Sequence, residues 1–449
     1  MLIKKQVNIP EDVKSIIDII EAAGFEAYAV GGCVRDIFVG IEPADWDITT
    51  SAKPEEVKRL FKRTIDTGLE HGTVTIMLDD QGYEVTTYRI DGVYTDYRRP
   101  EAVHFTNELL EDLKRRDFTI NAMAYNPAKG IIDAFNGIED LELGIVRCVG
   151  SADERFNEDA LRMLRAVRFA ARFGFSIDQE TIKAIKDNAH LIQNISVERI
   201  QVELTKILIS DHPEYLTLLH EYGILAYIIP EYDRLVDISQ ENPYHLFTVD
   251  HHTIEAMKHI EASKVLRWTM LCHDLGKADT KSIDENGVAH FYHHVEKSVE
   301  LARGVFNRLK FDNDTKNKCL KLIAYHDYRI EADIKLVRRL LNRIGEDVFL
   351  DYIKVRKADI HAQNPVYLEK QLENLDEIVA LYEQVLELNQ CVQIKDLAIS
   401  GKDLIELGVQ QGQEIGRILN ALLEEVIEQP KLNDKTLLVQ RVASLIGDQ

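Results

Sequence analysis

The sequence predicts an α+β fold: an N-terminal head built on a small mixed sheet, followed by an all-α remainder. Three observations lead there. Four short runs, FEAYAV, WDITT, GTVTIML and YEVTTYRI, are rich in β-branched and aromatic residues and bounded by turn residues, and all lie in the first 90 positions. They alternate with helical stretches: EDVKSIIDIIEAAG is amphipathic and stops at Gly24, and PEEVKRLFKR opens on Pro54. Beyond residue 150 strand signals thin out and helical periodicity takes over. The expected divisions are a head at 1–145, a helical neck at 146–210, a helical body at 211–385 and a helical tail at 386–449.

Composition excludes several classes. The chain has 449 residues, 45% of them hydrophobic and 29% charged, which fits a multidomain globular protein and not a disordered one. No apolar run approaches the ~20 residues of a membrane helix. The start, MLIKKQVNIPEDV, has no signal-peptide core, so a cytoplasmic location is expected. The five cysteines are scattered and odd in number, which fits neither a disulfide framework nor a CxxC zinc site. The formal net charge of −22, taken alone, argues against nucleic-acid binding. Basic residues nevertheless cluster: Arg98 and Arg99, then Lys114, Arg115 and Arg116, then Arg155, Arg162, Arg165, Arg168 and Arg172. Such a strip on an acidic chain suggests one focused site for an anion, although helix faces in water carry similar runs.

The stretch VGGCVRDIFVGIEPADWDITT (30–50) holds the first chemistry. Side chains alternate along a strand, so Asp45 and Asp47 are expected on one face, with Trp46 and Ile48 turned into the core. Two neighbouring carboxylates repel each other unless a cation sits between them. Oxygen-only ligation suits Mg²⁺, which binds through one or two carboxylates plus substrate phosphates. Glu84, in the later strand GYEVTTYRI, offers a third acid, and three acids on adjacent strands could hold two metals. Upstream, Gly31 and Gly32 join an apolar strand to a short helix. A glycine turn there leaves room and backbone N–H groups for phosphate oxygens. Arg35, in the first helical turn, is expected to add a charge-assisted phosphate contact.

These residues carry a resemblance. Gly31-Gly32, twelve residues, then Asp45-Trp46-Asp47-Ile48 is similar to the signature of the DNA polymerase β-like nucleotidyltransferase superfamily. LKRRDFTINAMAYN (113–126), IDAFNGIEDL (132–141), RFNEDALRMLRAVRFAARFGF (155–175) and SVERIQVEL (196–204) resemble the class II tRNA nucleotidyltransferases. These are the bacterial CCA-adding enzymes and their poly(A) polymerase relatives. The run ISGKDLIELGVQQGQEIGRIL (399–419) resembles the family's tail more loosely. The resemblance implies an enzyme that adds CCA to the 3′ end of tRNA from CTP and ATP, without a nucleic-acid template, at a two-Mg²⁺ site. Asp45, Asp47 and Glu84 would be catalytic. Gly32, Arg35, Arg116, Asp159, Arg162, Arg165 and Arg168 would bind the nucleotide. In NEDALRMLRAVRFAARF, Ala160, Leu164, Val167 and Ala171 fall on one side at helical spacing, and Asp159 and Arg162 fall opposite, one turn apart, where their side chains are expected to meet. By resemblance, this EDxxR pair offers an acceptor and donors to the edge of the incoming base. Asp117 is expected to order the loop beside Arg116. The segment DGVYTDYRRPEAVHF (91–105) resembles the loop of enzymes able to add the terminal A.

The histidines form a second set. DHHTIEAM, LCHDLGK, FYHHVEKS, YHDYR and RKADIHAQ follow in an order that resembles an HD domain, an all-helical metal-dependent phosphohydrolase fold. By position, His252, His273, Asp274 and Asp359 would be the metal ligands, with His294 and His326 as further ligands or phosphate contacts. That N/O set suits a second divalent metal such as Mn²⁺, Ni²⁺, Mg²⁺ or Fe. Two rival readings follow: an A-adding or poly(A) polymerase of the same class, and an HD phosphohydrolase with an RNA-binding head.

Overall fold

A computed structural model describes residues 2–3, 8–92 and 102–447. The chain forms two compact units. One comprises Met1–Asp233 with Arg308–Lys310, the other Arg234–Asn307 with Phe311–Gln449.

The first unit holds the expected head. Its strands are β1 (Leu2–Ile3), β2 (Ala27–Val30), β3 (Asp47–Thr50), β4 (Thr64–Gly68), β5 (Thr73–Leu78), β6 (Gln81–Thr87), β7 (Arg89–Asp91), β8 (Val103–Phe105), β9 (Met123–Asn126) and β10 (Gly130–Asp133). Eight of them make one sheet in the order β1-β10-β9-β2-β3-β6-β5-β4. The sheet is mixed because β3 runs parallel to β6 while every other adjacent pair is antiparallel. Helix α1 (Glu11–Ala22) stops just before Gly24, whose φ of +90° is a backbone state that glycine adopts freely. Val13, Ile16, Ile17 and Ile20, spaced i, i+3, i+4, i+7, are fully buried on its inner face. Helix α2 (Gly32–Phe38) follows β2, and α3 (Pro54–Leu60) begins on the proline, as its sequence predicts.

Two local expectations are corrected. Strand β3 begins at Asp47, so Asp45 and Trp46 lie in the segment leading into it. Ile48 enters the core, but Trp46 does not; it lines a surface cleft with Pro10, Ile41 and Tyr83. The β7–β8 pair is the stem of the expected loop, with Arg89 opposite Phe105; residues 93–101 of that loop, including Arg98 and Arg99, lie outside the described residues.

The head also carries α4 (Leu109–Lys114) and α5 (Gly137–Leu143), and the stretch that follows holds α6 (Ala152–Glu158), α7 (Leu161–Phe173), α8 (Gln179–Asn188) and α9 (Val197–Leu208). Ala160, Leu164, Val167 and Ala171 are all fully buried, as their spacing predicts. The second unit is helical, with Trp268 buried against Phe306 and Phe311. In its C-terminal part Leu404, Ile418, Leu422, Val426, Ile427 and Val442 form a core cluster. No helix among the described residues is long and apolar enough to cross a membrane. All five cysteines are buried thiols outside any disulfide. Burial pushes the thiols of Cys33 and Cys391 up to about 11, and those of Cys148 and Cys319 up to about 12.

Candidate functional site

The parallel pairing of β3 with β6 sets Asp47 directly beside Glu84. Both are exposed, Asp47 as the first residue of β3 and Glu84 midway along β6, and the residues that follow them, Ile48 and Val85, are buried. Asp47 is open to solvent on its outer side, yet the protein around it pushes its carboxyl above the ordinary value. Burial of its inner side is the largest cause, Arg116 opposes it, and Asp45 adds like-charge repulsion. Asp45, Asp47 and Glu84 are not among the groups of three or more ligand atoms that converge within 4.8 Å among the described residues.

The glycine turn lies against the same arginine. Gly31 has a φ of +80° and donates its N–H to the Met123 carbonyl at 3.1 Å. A Cβ on Gly31 would stand 2.9 Å from Nη1 of Arg116, so the bare backbone lets the guanidinium close over the turn. Arg116 is held there by Asp112, which is fully buried, lies 3.4 Å from its Nη2, and accepts from Nε and Nη2 of Arg115 at 3.0 and 2.7 Å. Burial would raise the Asp112 carboxyl, but Arg115 and Arg116 hold it below its usual range. Asp112 was not singled out by sequence; its spacing of i+3 and i+4 to the two arginines was the available signal.

Arg35 goes elsewhere than expected. It is buried, donates to Asp36 Oδ1 through Nε and Nη2 and to Asn121 Oδ1, and lies over the rings of Phe169 and Phe173. It ties α2 to α7 and does not face an open phosphate site. Gly32 opens α2, where the first helical N–H groups have no partner within the helix.

The EDxxR stretch is not one continuous helix. Asp159 has extended backbone (φ −141°, ψ 101°) between α6 and α7. Its carboxylate therefore does not meet Arg162. It pairs with Arg199 of α9, with Nη2 to Oδ2 at 2.7 Å and Nη1 to Oδ1 at 3.3 Å, and also accepts from the N–H of Leu161 at 3.1 Å. Arg162 donates to Glu158 at 2.6 Å and to the Arg115 carbonyl at 3.2 Å. Arg168 pairs with Glu203 of α9 at 2.6 Å. Arg165 donates to Asp117 through Nε and Nη2 at 2.9 and 2.6 Å. Asp117 also accepts from Asn121 Nδ2 at 3.0 Å and from the N–H of Phe118 at 2.8 Å, consistent with the expected ordering of its loop.

Residues 115–117 thus join the two halves of the site. The Arg115 carbonyl receives Arg162, the Arg116 side chain covers Gly31 and acts on Asp47, and the Asp117 carboxylate receives Arg165. Asp117 is buried, which would raise its carboxyl, but Arg165 and Asn121 hold it well below the usual range. A depressed carboxyl stabilises the fold above the unfolded value near pH 4 and loses that contribution as pH falls through the folded value. Asp117→Asn is expected to cost about 2 kcal/mol, less than a fully buried pair because Arg165 is one-third exposed. Urea melts at pH 7 and pH 3 check it: the gap between variant and wild type should shrink at the lower pH.

The helical body gathers the second set. Nε2 of His252 lies 3.0 Å from Asp359 Oδ1 and 3.4 Å from Nε2 of His273. Nε2 of His273 lies 3.1 Å from Asp274 Oδ2, and Nε2 of both His294 and His326 lies 3.6 Å from Asp274 Oδ1. His252, His273 and Asp274 form one group of ligand atoms within 4.8 Å of one another; Asp274, His294 and His326 form another. Nδ1 of each histidine is within 3.1 Å of a backbone carbonyl, from Ala362, Met270, Phe291 and Ile323 respectively. A carbonyl only accepts, so Nδ1 carries a proton in all four, and Nε2 is the atom each ring turns inward toward the carboxylates. Sequence reasoning missed Lys277, whose Nζ is 2.7 Å from Asp274, and Gln363, which donates to Asp359 at 2.8 Å. Gly276 is packed against the His294 carbonyl and the Ser298 N–H so closely that no Cβ fits.

Family models match three stretches: a poly A polymerase head domain at 27–147, a probable RNA- and SrmB-binding site of polymerase A at 174–235, and a putative tRNA nucleotidyltransferase domain 2 at 281–442. A CCA-adding enzyme of Ligilactobacillus salivarius is 35% identical over 98% of this chain and 99% of the relative. One from Lactiplantibacillus plantarum is 58% identical over 44% of this chain and 49% of the relative. Among solved structures, the Bacillus stearothermophilus CCA-adding enzyme in complex with CTP is 30% identical and superposes with a TM-score of 0.74 over 98% of this chain and 99% of that one. With a head, neck and helical body that all match in order along the full length, this chain belongs to the class II tRNA nucleotidyltransferases, the family of the CCA-adding enzymes.

Proposed function

We propose that this chain adds C, C and A in turn to the 3′ end of tRNA, using CTP and ATP and releasing pyrophosphate. The observation that carries the reading is the junction at residues 115–117, which links the acid-bearing strand end, the glycine turn and the neck arginines. Asp45, Asp47 and Glu84 fit Mg²⁺. They supply only oxygen donors, Glu84 is in register with Asp47, and Asp45 and Asp47 repel each other in a way a cation relieves. When bound there, Mg²⁺ supplies charge neutralisation of the triphosphate and a lowered pKa for the attacking hydroxyl.

The protein's own work is positioning and electrostatics. Arg116, over the glycine turn, attracts the triphosphate. Asp159 accepts from the amino group of cytosine or adenine, and Arg162 donates to the acceptors beside it. Arg165 and Arg168 fix the neck helix through Asp117 and Glu203. The tRNA 3′-oxygen bonds to the α-phosphorus, the bond to the β-phosphate bridging oxygen breaks, and pyrophosphate leaves. The test is a tRNA transcript ending before CCA, incubated with CTP, ATP or both. Two additions with CTP alone, three with both and none with ATP alone are expected. A tail of adenosines from ATP alone would turn the reading to the poly(A) branch.

A second reading concerns the body. The inward Nε2 atoms of four histidines around Asp274 and Asp359 fit a divalent metal, and Lys277 beside Asp274 offers a cation to an anionic ester. This unit would then hydrolyse phosphoesters, as the HD resemblance implies.

A further inference from the structure

We propose that Arg199 is a positioning residue for nucleotide selection: it fixes the orientation of the Asp159 carboxylate, and so decides that the site accepts cytosine and adenine, whose N4 and N6 amino groups donate. The proposal rests on the reading of Asp159 and Arg162 as the base-contacting pair.

Asp159 sits at a break between two helices, in extended backbone; its N–H reaches the Arg155 carbonyl at 3.2 Å and its carbonyl accepts from the Arg162 N–H at 3.0 Å, but these bonds leave the side-chain torsions unset. A carboxylate on a free χ2 presents its lone pairs over a wide arc. Two nitrogens of Arg199 grip the two oxygens separately, and the Leu161 N–H takes a third direction on Oδ1. A carboxylate has about four lone-pair sites. With three occupied, what remains for a ligand is an acceptor of defined direction.

The grip itself is well founded. Arg199 stands in the first turn of α9, and Glu203, one turn further on, holds Arg168 of α7 at 2.6 Å. α9 therefore fastens the neck at two points: one on the helix that carries Arg162, the other on the acid that precedes it.

An acceptor of fixed direction separates bases by their exocyclic group. Cytosine presents N4–H₂ and adenine N6–H₂, both donors; uracil and guanine present carbonyl oxygens there. A carbonyl would face a lone pair and be repelled. A carboxylate that could rotate would relax that repulsion, or let water bridge it.

The experiment is single-nucleotide addition to tRNA ending before CCA, with CTP and UTP compared for wild type, Arg199→Ala, Arg199→Lys and Asp159→Asn. Arg199→Ala is expected to lower the ratio of kcat/KM for CTP over UTP by about tenfold with little change in KM for tRNA. Arg199→Lys should fall between, because an ammonium is a single point charge and cannot hold both oxygens in one plane. If Arg199→Ala melts early, Arg199→Lys with a native melting temperature carries the test. A uniform loss for CTP and UTP, with their ratio intact, shows a merely structural role and overturns the proposal. Should Asp159→Asn lose discrimination while Arg199→Ala keeps it, the proposal alone falls. Should Asp159→Asn discriminate as wild type does, the base-reading assignment and the proposal fall together.

Discussion

Asp47→Ala is expected to abolish nucleotide addition, by on the order of 10³-fold or more, while the fold stays within about 0.5 kcal/mol of wild type. The two effects separate because of where the side chain sits. Asp47 is the exposed first residue of β3, and the buried residues that follow, Ile48 to Thr50, supply the packing. Alanine keeps the strand's backbone groups and removes only an oxygen pair that Asp45 already repels. Asp45→Ala should act in the same direction. Extension of a tRNA lacking CCA, with a thermal melt on the same preparation, checks both halves. Wild-type incorporation by Asp47→Ala would remove the basis for the metal assignment in the head.

The second large effect is expected in the body. Mn²⁺ or Ni²⁺ at about 100 times its dissociation constant should stabilise the protein by about 2.7 kcal/mol. The shift should persist in Asp47→Ala, which separates it from binding in the head, and vanish in His273→Ala. Asp274→Asn should lose it as well and should also be weaker without metal. Lys277 is buried and 2.7 Å from Asp274, so removing the acid leaves an ammonium without its counter-charge, at a cost of about 3–5 kcal/mol. Burial alone would raise the Asp274 carboxyl, but His273 and Lys277 hold it well below the usual range. Hydrolysis of p-nitrophenyl phosphate should follow the metal. A melting temperature indifferent to both ions would leave the cluster as a hydrogen-bonded core and end the hydrolase reading.

How much of this was readable from the chain depends on the range of the interaction concerned. The alternation that exposes Asp47 and buries Ile48 is local, and it held. So did the buried stripe of Ala160, Leu164, Val167 and Ala171, and the α1 pattern around Val13 and Ile20. The histidines come together because His252 and His294 lie on helices (Val249–Lys258 and His294–Arg308) and His273 and His326 directly follow the helix ends at Cys272 and Tyr325. The failures have separate causes. Arg35 looked available for phosphate because its partners, Asn121, Phe169 and Phe173, are more than 80 residues away. Asp159 and Arg162 looked paired because helical periodicity was extended across a break. At the break Asp159 meets Arg199 instead, forty residues downstream. Trp46 seemed a core residue because alternation was carried two residues ahead of where β3 starts.

The five cysteines have a practical consequence. All are inside, and the burial that raises four of the thiols to 11 or above leaves almost no thiolate at neutral pH. A maleimide dye should therefore spare the native protein, so one cysteine introduced at an exposed position would take a fluorophore by itself. Distance measurements during the reaction cycle would then need no prior removal of the native sulfur.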